Sequence, residues 1–420
     1  MTTRTETPAA LFGPADVGAR HAAYAALAAT GPVHRITLPN GMPAWLVTGY
    51  DAVRAALGDP RLVKSPGPTP LEGLLPPDVS AAMNSDLLHN DPPDHTRLRR
   101  LVSGAFTRRR VDALAPRIQQ IADGLLDELT ATLAEHGEAD LIAAFAYPLP
   151  IAVIEEMLGV PTHDRAGFRR WSTTVASGSA VDPQLWVEAA TGLVAFVRDL
   201  VAAKRGHPAD DLMSALVAAR NGADRLTEDE LTSMVFLLLV AGHETTVNLI
   251  GNGMYTLLTH PDRRALVQAE PECLPAAVEE LLRFDGPVQV ATFRWTSAPV
   301  PIGGTVIPAG EIVVPGLLAA NRDAAAVADP AVFDPTRAPG AAAHVAFGYG
   351  VHHCLGAPLA RLEGRIALGS LLARLPDLRL AVPVADLRWR PSVLMHGLAA
   401  LPCSVAPREP GAPPRPWKMA

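Results

Sequence analysis

The run Phe347-Gly348-Tyr349-Gly350-Val351-His352-His353-Cys354-Leu355-Gly356-Ala357-Pro358-Leu359-Ala360-Arg361 is the densest pattern in the chain. Glycines at 348 and 350 permit a tight loop with backbone torsions closed to other residues. Cys354 stands just ahead of a helix start, and Pro358 suits the first turn of that helix. At such a position the helix dipole and nearby N–H groups favour a thiolate over a thiol. Gly356 leaves room for something flat to approach the backbone. Taken alone, a cysteine in a turn is most often a buried structural thiol, so its surroundings must decide.

Those surroundings are mostly helical. Apolar residues recur at helical spacing over 111–133, 185–203, 231–258 and 274–284, and helix resumes over 357–375. Nearer the N-terminus, 33–38 alternates like a strand, Asn40-Gly41 marks a turn, and 44–47 returns as the second strand of a hairpin. A short helix over 51–57 stops at Gly58-Asp59-Pro60. The stretch 65–77 is rich in Pro and Gly and reads as a loop. Short strands are expected over 299–314, with turns at Gly303-Gly304 and Pro308-Ala309-Gly310. By contrast, 321–346 is long and aperiodic, which inside a compact fold points to function. The pattern predicts one mainly helical domain with small sheets over 1–405, followed by a disordered proline-rich tail over 406–420.

Composition narrows the class. The 420 residues are 49% hydrophobic and 19% charged, as in a globular protein. A net charge of -7, from 36 basic and 43 acidic residues, gives no global pull toward nucleic acid. Only Lys64, Lys204 and Lys418 are lysines; with the abundant alanine, this arginine bias points to a GC-rich bacterial genome. Cys273, Cys354 and Cys403 are too few and scattered for a disulfide framework, which fits a reducing cytoplasm. The first residues lack the apolar run of a signal peptide, and the strongly apolar stretch 234–242 is too short for a bilayer. No membrane anchor is expected.

Three further clusters carry chemistry. Ala241-Gly242-His243-Glu244-Thr245-Thr246 places an acid and hydroxyls in the middle of the long apolar helix, with a loosened turn expected at Ala241-Gly242. Within Asp91-Pro92-Pro93-Asp94-His95-Thr96-Arg97-Leu98-Arg99, His95 and Arg99 share a helical face. In Glu280-Leu281-Leu282-Arg283 an acid and a base stand three apart.

The cysteine run resembles the haem-binding loop of the cytochrome P450 family, Phe-Gly-x-Gly-x-His-x-Cys-x-Gly followed by Leu-Ala-Arg. The likeness covers about residues 30–403, since the family's other motifs follow in order. It implies the mainly α cytochrome P450 fold, with haem b (iron protoporphyrin IX) between the long central helix and the cysteine-loop helix. Cys354 would be the axial iron ligand, an anionic sulfur whose electron push favours O–O cleavage. Phe347, Gly348, Gly356 and Ala241 would border the haem, and His95, Arg99, Arg294 and His352 would hold its propionates. Glu244 and Thr245 match the acid–alcohol pair that relays protons during oxygen activation. Glu280 and Arg283, with Arg337 from Phe333-Asp334-Pro335-Thr336-Arg337, match a scaffold triad.

The same resemblance places Leu237, Val240, Val290, Thr292, Leu394 and Met395 around the substrate. This largely apolar set favours a bulky macrolide, polyketide, terpenoid or steroid in secondary metabolism. It implies a soluble bacterial monooxygenase that uses O2 to hydroxylate or epoxidise its substrate. A monomer fed by a [2Fe-2S] or similar ferredoxin and an NAD(P)H-dependent reductase is expected. The basic cluster Arg97, Arg99, Arg100, Arg108, Arg109 and Arg110 would receive that acidic partner. Two departures stand out: His396 replaces an arginine found in many relatives, and acidic residues common after Arg294 are missing. An oxidative-coupling or peroxide-using enzyme is the rival reading, and a non-catalytic haem sensor a further one. A zinc or cysteine-dependent enzyme fails for want of suitable ligand spacing.

Overall fold

The computed structural model describes residues 9–405 except 14, 17, 65–71, 105, 161–164, 178–181, 210, 220–224 and 338–343. The loop expected at 65–77 lies partly, and the tail wholly, outside the described residues. From residue 72 that loop gives way to a 3-10 turn, Glu72–Leu74, and then to the helix Pro77–Asn84.

Eight helices frame the site: α1 Ala19–Ala28, α2 Asp94–Ser103, α3 Ala115–His136, α4 Pro148–Met157, α5 Pro183–Gly206, α6 Glu228–Thr259, α7 Leu274–Asp285 and α8 Ala357–Arg374. Helix α6 opens on a capping box, in which Thr227 and Glu230 satisfy each other's backbone N–H groups. Its 32 residues span about 48 Å. Every residue from Leu231 to Phe236 is buried, so this helix is covered all round, as a core helix must be. Among the described residues α6 alone is long and apolar enough to cross a membrane, yet 67% of that apolar window is buried inside the protein.

Two hydrophobic cores meet on α6. Its first half gives Leu231, Met234, Val235, Phe236 and Leu239 to a core shared with α2, α4 and α5. Its second half gives Leu249, Ile250, Met254 and Leu257 to a core shared with α3, α7 and α8. Each such side chain contributes about 2 kcal/mol through burial. Residues 241–245 belong to neither core; they lie at the seam.

The loosened turn expected at Ala241-Gly242 does not occur, because α6 runs unbroken from Glu228 to Thr259. Gly242 serves close packing instead: a Cβ there would stand 3.3 Å from the Ile154 side chain of α4. The hydroxyls of Thr245 and Thr246 donate back to the carbonyls of Ala241 (3.0 Å) and Gly242 (3.5 Å) without opening the helix.

Beside the helices lies a five-stranded sheet of β1 Val33–Thr37, β2 Pro43–Val47, β3 Leu62–Val63, β4 Arg294–Thr296 and β5 Ile312–Pro315, in the order β1-β2-β5-β4-β3. Only β2 and β5 pair in parallel. The alternation of β4 turns Arg294 inward. The aperiodic stretch after residue 321 is ordered by one side chain. Fully buried Arg283 donates to Glu280 (both bonds 2.7 Å) and to the carbonyls of Asn321 (3.1 Å), Pro330 (2.9 Å) and Val332 (3.1 Å). Arg337 and the Asp334 N–H complete the set on Glu280 Oε1, at 3.3 and 3.0 Å.

Candidate functional site

The cysteine loop closes on itself through two backbone bonds. The Cys354 N–H donates to the Phe347 carbonyl (2.9 Å), and the Gly348 N–H donates to the Val345 carbonyl (2.8 Å). Gly350 has φ +74°, and a Cβ there would lie 2.9 Å from the Leu57 carbonyl oxygen, so only glycine fits. Phe347 is pinned beneath the guanidinium of Arg361, 4.5 Å from the ring centre. Cys354 itself keeps accessible surface just ahead of α8.

Burial by the surrounding loop and helix pushes the Cys354 thiol up. The N–H groups of Gly356 and Ala357 and the charges of Arg99 and Arg361 pull it down less strongly. The helix-start N–H groups thus act in the direction expected from the sequence, but more weakly than burial acts against them. Here desolvation wins, and a bound cation has to supply what the dipole does not.

On and beside the loop, the expected anion-holding residues come together. His95 and His352 lie ring to ring, 4.4 Å between centres, and the ring nitrogens of both lack protein partners. Arg294 donates to the Leu62 carbonyl (3.3 Å) but leaves Nε unpartnered, and Arg99 donates to the Val351 carbonyl (3.1 Å). Sequence reasoning missed Lys64. Its buried ammonium, whose pKa burial and the charge of Arg294 push well down, donates to the Thr292 hydroxyl and to the carbonyls of Thr292 (3.3 Å) and Phe293 (3.4 Å). Burial and the charges of Lys64 and Arg294 push the His352 imidazole down to about 2, and burial and Arg99 also lower that of His95. None of the three cations has a carboxylate within hydrogen-bond reach among the described residues. Neutral imidazoles beside Arg99, Arg294 and Lys64 form a site for an anion.

Between the loop and α6, Ala241 is exposed and Thr245, Leu237 and Val240 are half-buried. Glu244 is buried, one carboxylate oxygen taken by Arg390 and the other without a partner. Arg390 also donates to Asn248 (2.8 Å). The structure thus ties Glu244 to the C-terminal segment, a partnership that no sequence spacing revealed. Of the pocket residues, Leu394 and Met395 are half-buried, with Met395 bridged to Val288. Thr292 is half-buried and spends its hydroxyl on Lys64. Val290 is a correction: it is fully covered in the core beside Leu11, Ile36 and Val314 and offers a pocket no surface.

Of the two departures, His396 is built into a buried polar cluster. His396 is fully buried and donates from Nε2 to Asp285 (2.8 Å), while Arg20 meets its Nδ1 (3.1 Å) and His21 meets the same Asp285 oxygen (2.7 Å). The basic cluster is partly spent. Arg97 pairs with Glu230 and Arg108 lies 3.6 Å from Asp112, while Arg109 and Arg110 are exposed.

The residues present therefore fit a flat, dianionic metal complex: a sulfur ligand below, a small-residue face above and a cationic edge. Comparisons with known proteins agree. The family model described as Cytochrome P450 matches residues 191–376. The chain is 49% identical to Cytochrome P450 107B1 of Saccharopolyspora erythraea over 96% of its own length and 99% of that protein. It is 45% identical to the Mycinamicin IV hydroxylase/epoxidase of Micromonospora griseorubida, over 90% of this chain and 94% of that one. Among solved structures, the tirandamycin C-bound P450 monooxygenase TamI superposes with a TM-score of 0.85 at 43% identity, covering 96% of this chain and all of that one.

Proposed function

We propose, since this chain belongs to the cytochrome P450 family of monooxygenases, that it hydroxylates or epoxidises a bulky apolar polyketide or macrolide in bacterial secondary metabolism. Cys354 would hold the iron of a haem b through its sulfur, and His95, Arg99, Arg294 and His352 would hold its propionates. When bound, the haem supplies the oxidation: one atom of O2 enters a C–H or C=C bond and the other leaves as water.

The chain's own residues do the rest. Desolvation at Cys354 raises the cost of the free thiolate, so a bound metal would stabilise the anionic sulfur. Leu237, Val240, Leu394 and Met395 present apolar surface to the substrate. Glu244, oriented by Arg390, passes protons toward Thr245, whose hydroxyl stands one turn from exposed Ala241. Relatives that act on mycinamicin IV and bind tirandamycin C support the polyketide class. Electrons come from a ferredoxin and its NAD(P)H-dependent reductase in the cytoplasm, with the exposed Arg109 and Arg110 as docking charges.

The observation that carries this reading is the pairing of His95 with His352, two residues from Cys354, with the ring nitrogens of both and Arg294 Nε left without partners. A reduced carbon monoxide difference spectrum tests it. A strongly red-shifted Soret band that Cys354→Ser abolishes is expected. A wild-type band at the position of an imidazole-ligated haem would overturn it. Displacement of iron-bound water by members of an apolar compound library then sorts the substrate classes.

A further inference from the structure

Helix α6 carries polar residues at Glu244, Asn248, Asn252 and Thr256, each four positions beyond the last. Four-residue spacing keeps side chains neighbours on one stripe of a helix. All four are buried. Each also holds one buried polar atom that no protein group satisfies: Glu244 Oε2, Asn248 Nδ2, Asn252 Oδ1 and Thr256 Oγ1. Leaving such an atom unmatched costs about 1–3 kcal/mol, so four in register call for one explanation.

The C-terminal segment covers this stripe. Arg390 reaches Glu244 and Asn248, and Asn252 donates to the carbonyls of His396 (2.9 Å) and Asp285 (3.1 Å). Trp389 lies against His396, 3.8 Å between ring centres, and 6.0 Å from Tyr255. Gly397 is required here, since a Cβ would collide with the Asn248 amide. One turn past Thr256, half-buried His260 bonds the Thr256 carbonyl through Nδ1 (2.8 Å), bringing the stripe toward the surface.

The spacing selects the occupant. Four residues rise about 6 Å along the axis, and one water with two hydrogen bonds of about 2.8 Å bridges nearly that distance. A buried water needs two or more polar partners, which adjacent members of the stripe supply.

We propose that the Glu244–Asn248–Asn252–Thr256 stripe, roofed by Arg390 and His396, holds a file of hydrogen-bonded water that hands solvent protons to Glu244. The file rests on the reading of Glu244 as proton donor. Monooxygenation consumes two electrons and two protons for each O2 that yields product and water, so Glu244 must be reprotonated in every cycle. Asn248, Asn252 and Thr256 are positioning residues: they hold water and touch no reacting atom.

A crystal structure of the holoenzyme, resolving ordered solvent, should show water bridging successive members of the stripe; gaps without water would overturn the file. In solution, Thr256→Val keeps the side-chain shape but removes the hydroxyl. With styrene as probe, epoxide formed per NADPH should fall at least threefold and the solvent deuterium isotope effect should rise. Turnover driven by hydrogen peroxide, which brings its own protons with its oxygen, should be unchanged, and Thr256→Ser should restore coupling. A merely structural defect would lower both modes of turnover alike, and that result also overturns the file. Glu244→Gln separates the two readings. If it retains coupling, the role of Glu244 fails; if it uncouples while Thr256→Val does not, only the file fails.

Discussion

At the scale of single residues, the chemistry rests on groups whose environment departs from water. Thr245 bonds its own helix at Ala241 yet remains half-buried beside the seam, so its hydroxyl can exchange partners at little cost. Thr245→Ala should leave haem content unchanged and cut product per NADPH by about tenfold or more, with the lost electrons recovered as hydrogen peroxide. His396 makes a different prediction. Burial pushes its imidazole down to about 4, against an ordinary value of 6.5, despite Asp285 beside it; Arg20 and His21 oppose protonation. Between those two values the unfolded chain takes up a proton that the folded chain refuses, so stability falls as pH drops from 6.5 toward 4. His21, also lowered, acts with the same sign. Asp285, held far below its ordinary value, adds stability that is lost only in stronger acid. At pH 5 the His396 contribution is about 2 kcal/mol. Urea titrations at pH 7 and pH 5 check this: His396→Gln should lose less stability on acidification than the unaltered protein.

Elements differ in how much of them could be read in advance. The long helices were legible because burial on several sides leaves an apolar period that no loop imitates, and their bounds agree to within a few residues. The cysteine loop was legible because its constraints are contiguous: glycine, turn, sulfur and helix start follow one another in sequence. Lys64 and Arg390 were not, since each acquires its role only when segments far apart in the chain are packed together. Val290 was misread for the same reason, as a strand residue can face either side and only packing decides which. Glu280 pairs with Arg283 and with Arg337, whereas the carbonyls of Asn321, Pro330 and Val332 that Arg283 gathers left no signal in the sequence. Removing one member strands a buried charge, which costs about 3–5 kcal/mol. Arg283→Met should therefore lower the denaturant midpoint sharply and release haem. Glu280→Gln should do so too.

For the whole molecule, charge and assembly follow from how the parts are joined. On the ferredoxin reading proposed above, exposed Arg109 and Arg110 on an acidic chain would attract an acidic electron donor only at short range. Raising ionic strength from 0.05 to 0.3 M should increase the KM for ferredoxin several-fold while leaving peroxide-driven turnover unaffected. Joining two cores through α6 places the site where neither core can close without the other. The meander fixed by Arg283 adds a constraint of order in time. The Arg283 guanidinium gathers carbonyls 38 to 49 residues downstream, and Asn321, thus set, accepts the Val345 N–H at the root of the cysteine loop. While a ribosome is still making the chain, the sulfur is absent and the loop that would present it has no anchor. Haem, if it binds as proposed, would therefore have a finished loop to bind only after the chain has been made past Cys354.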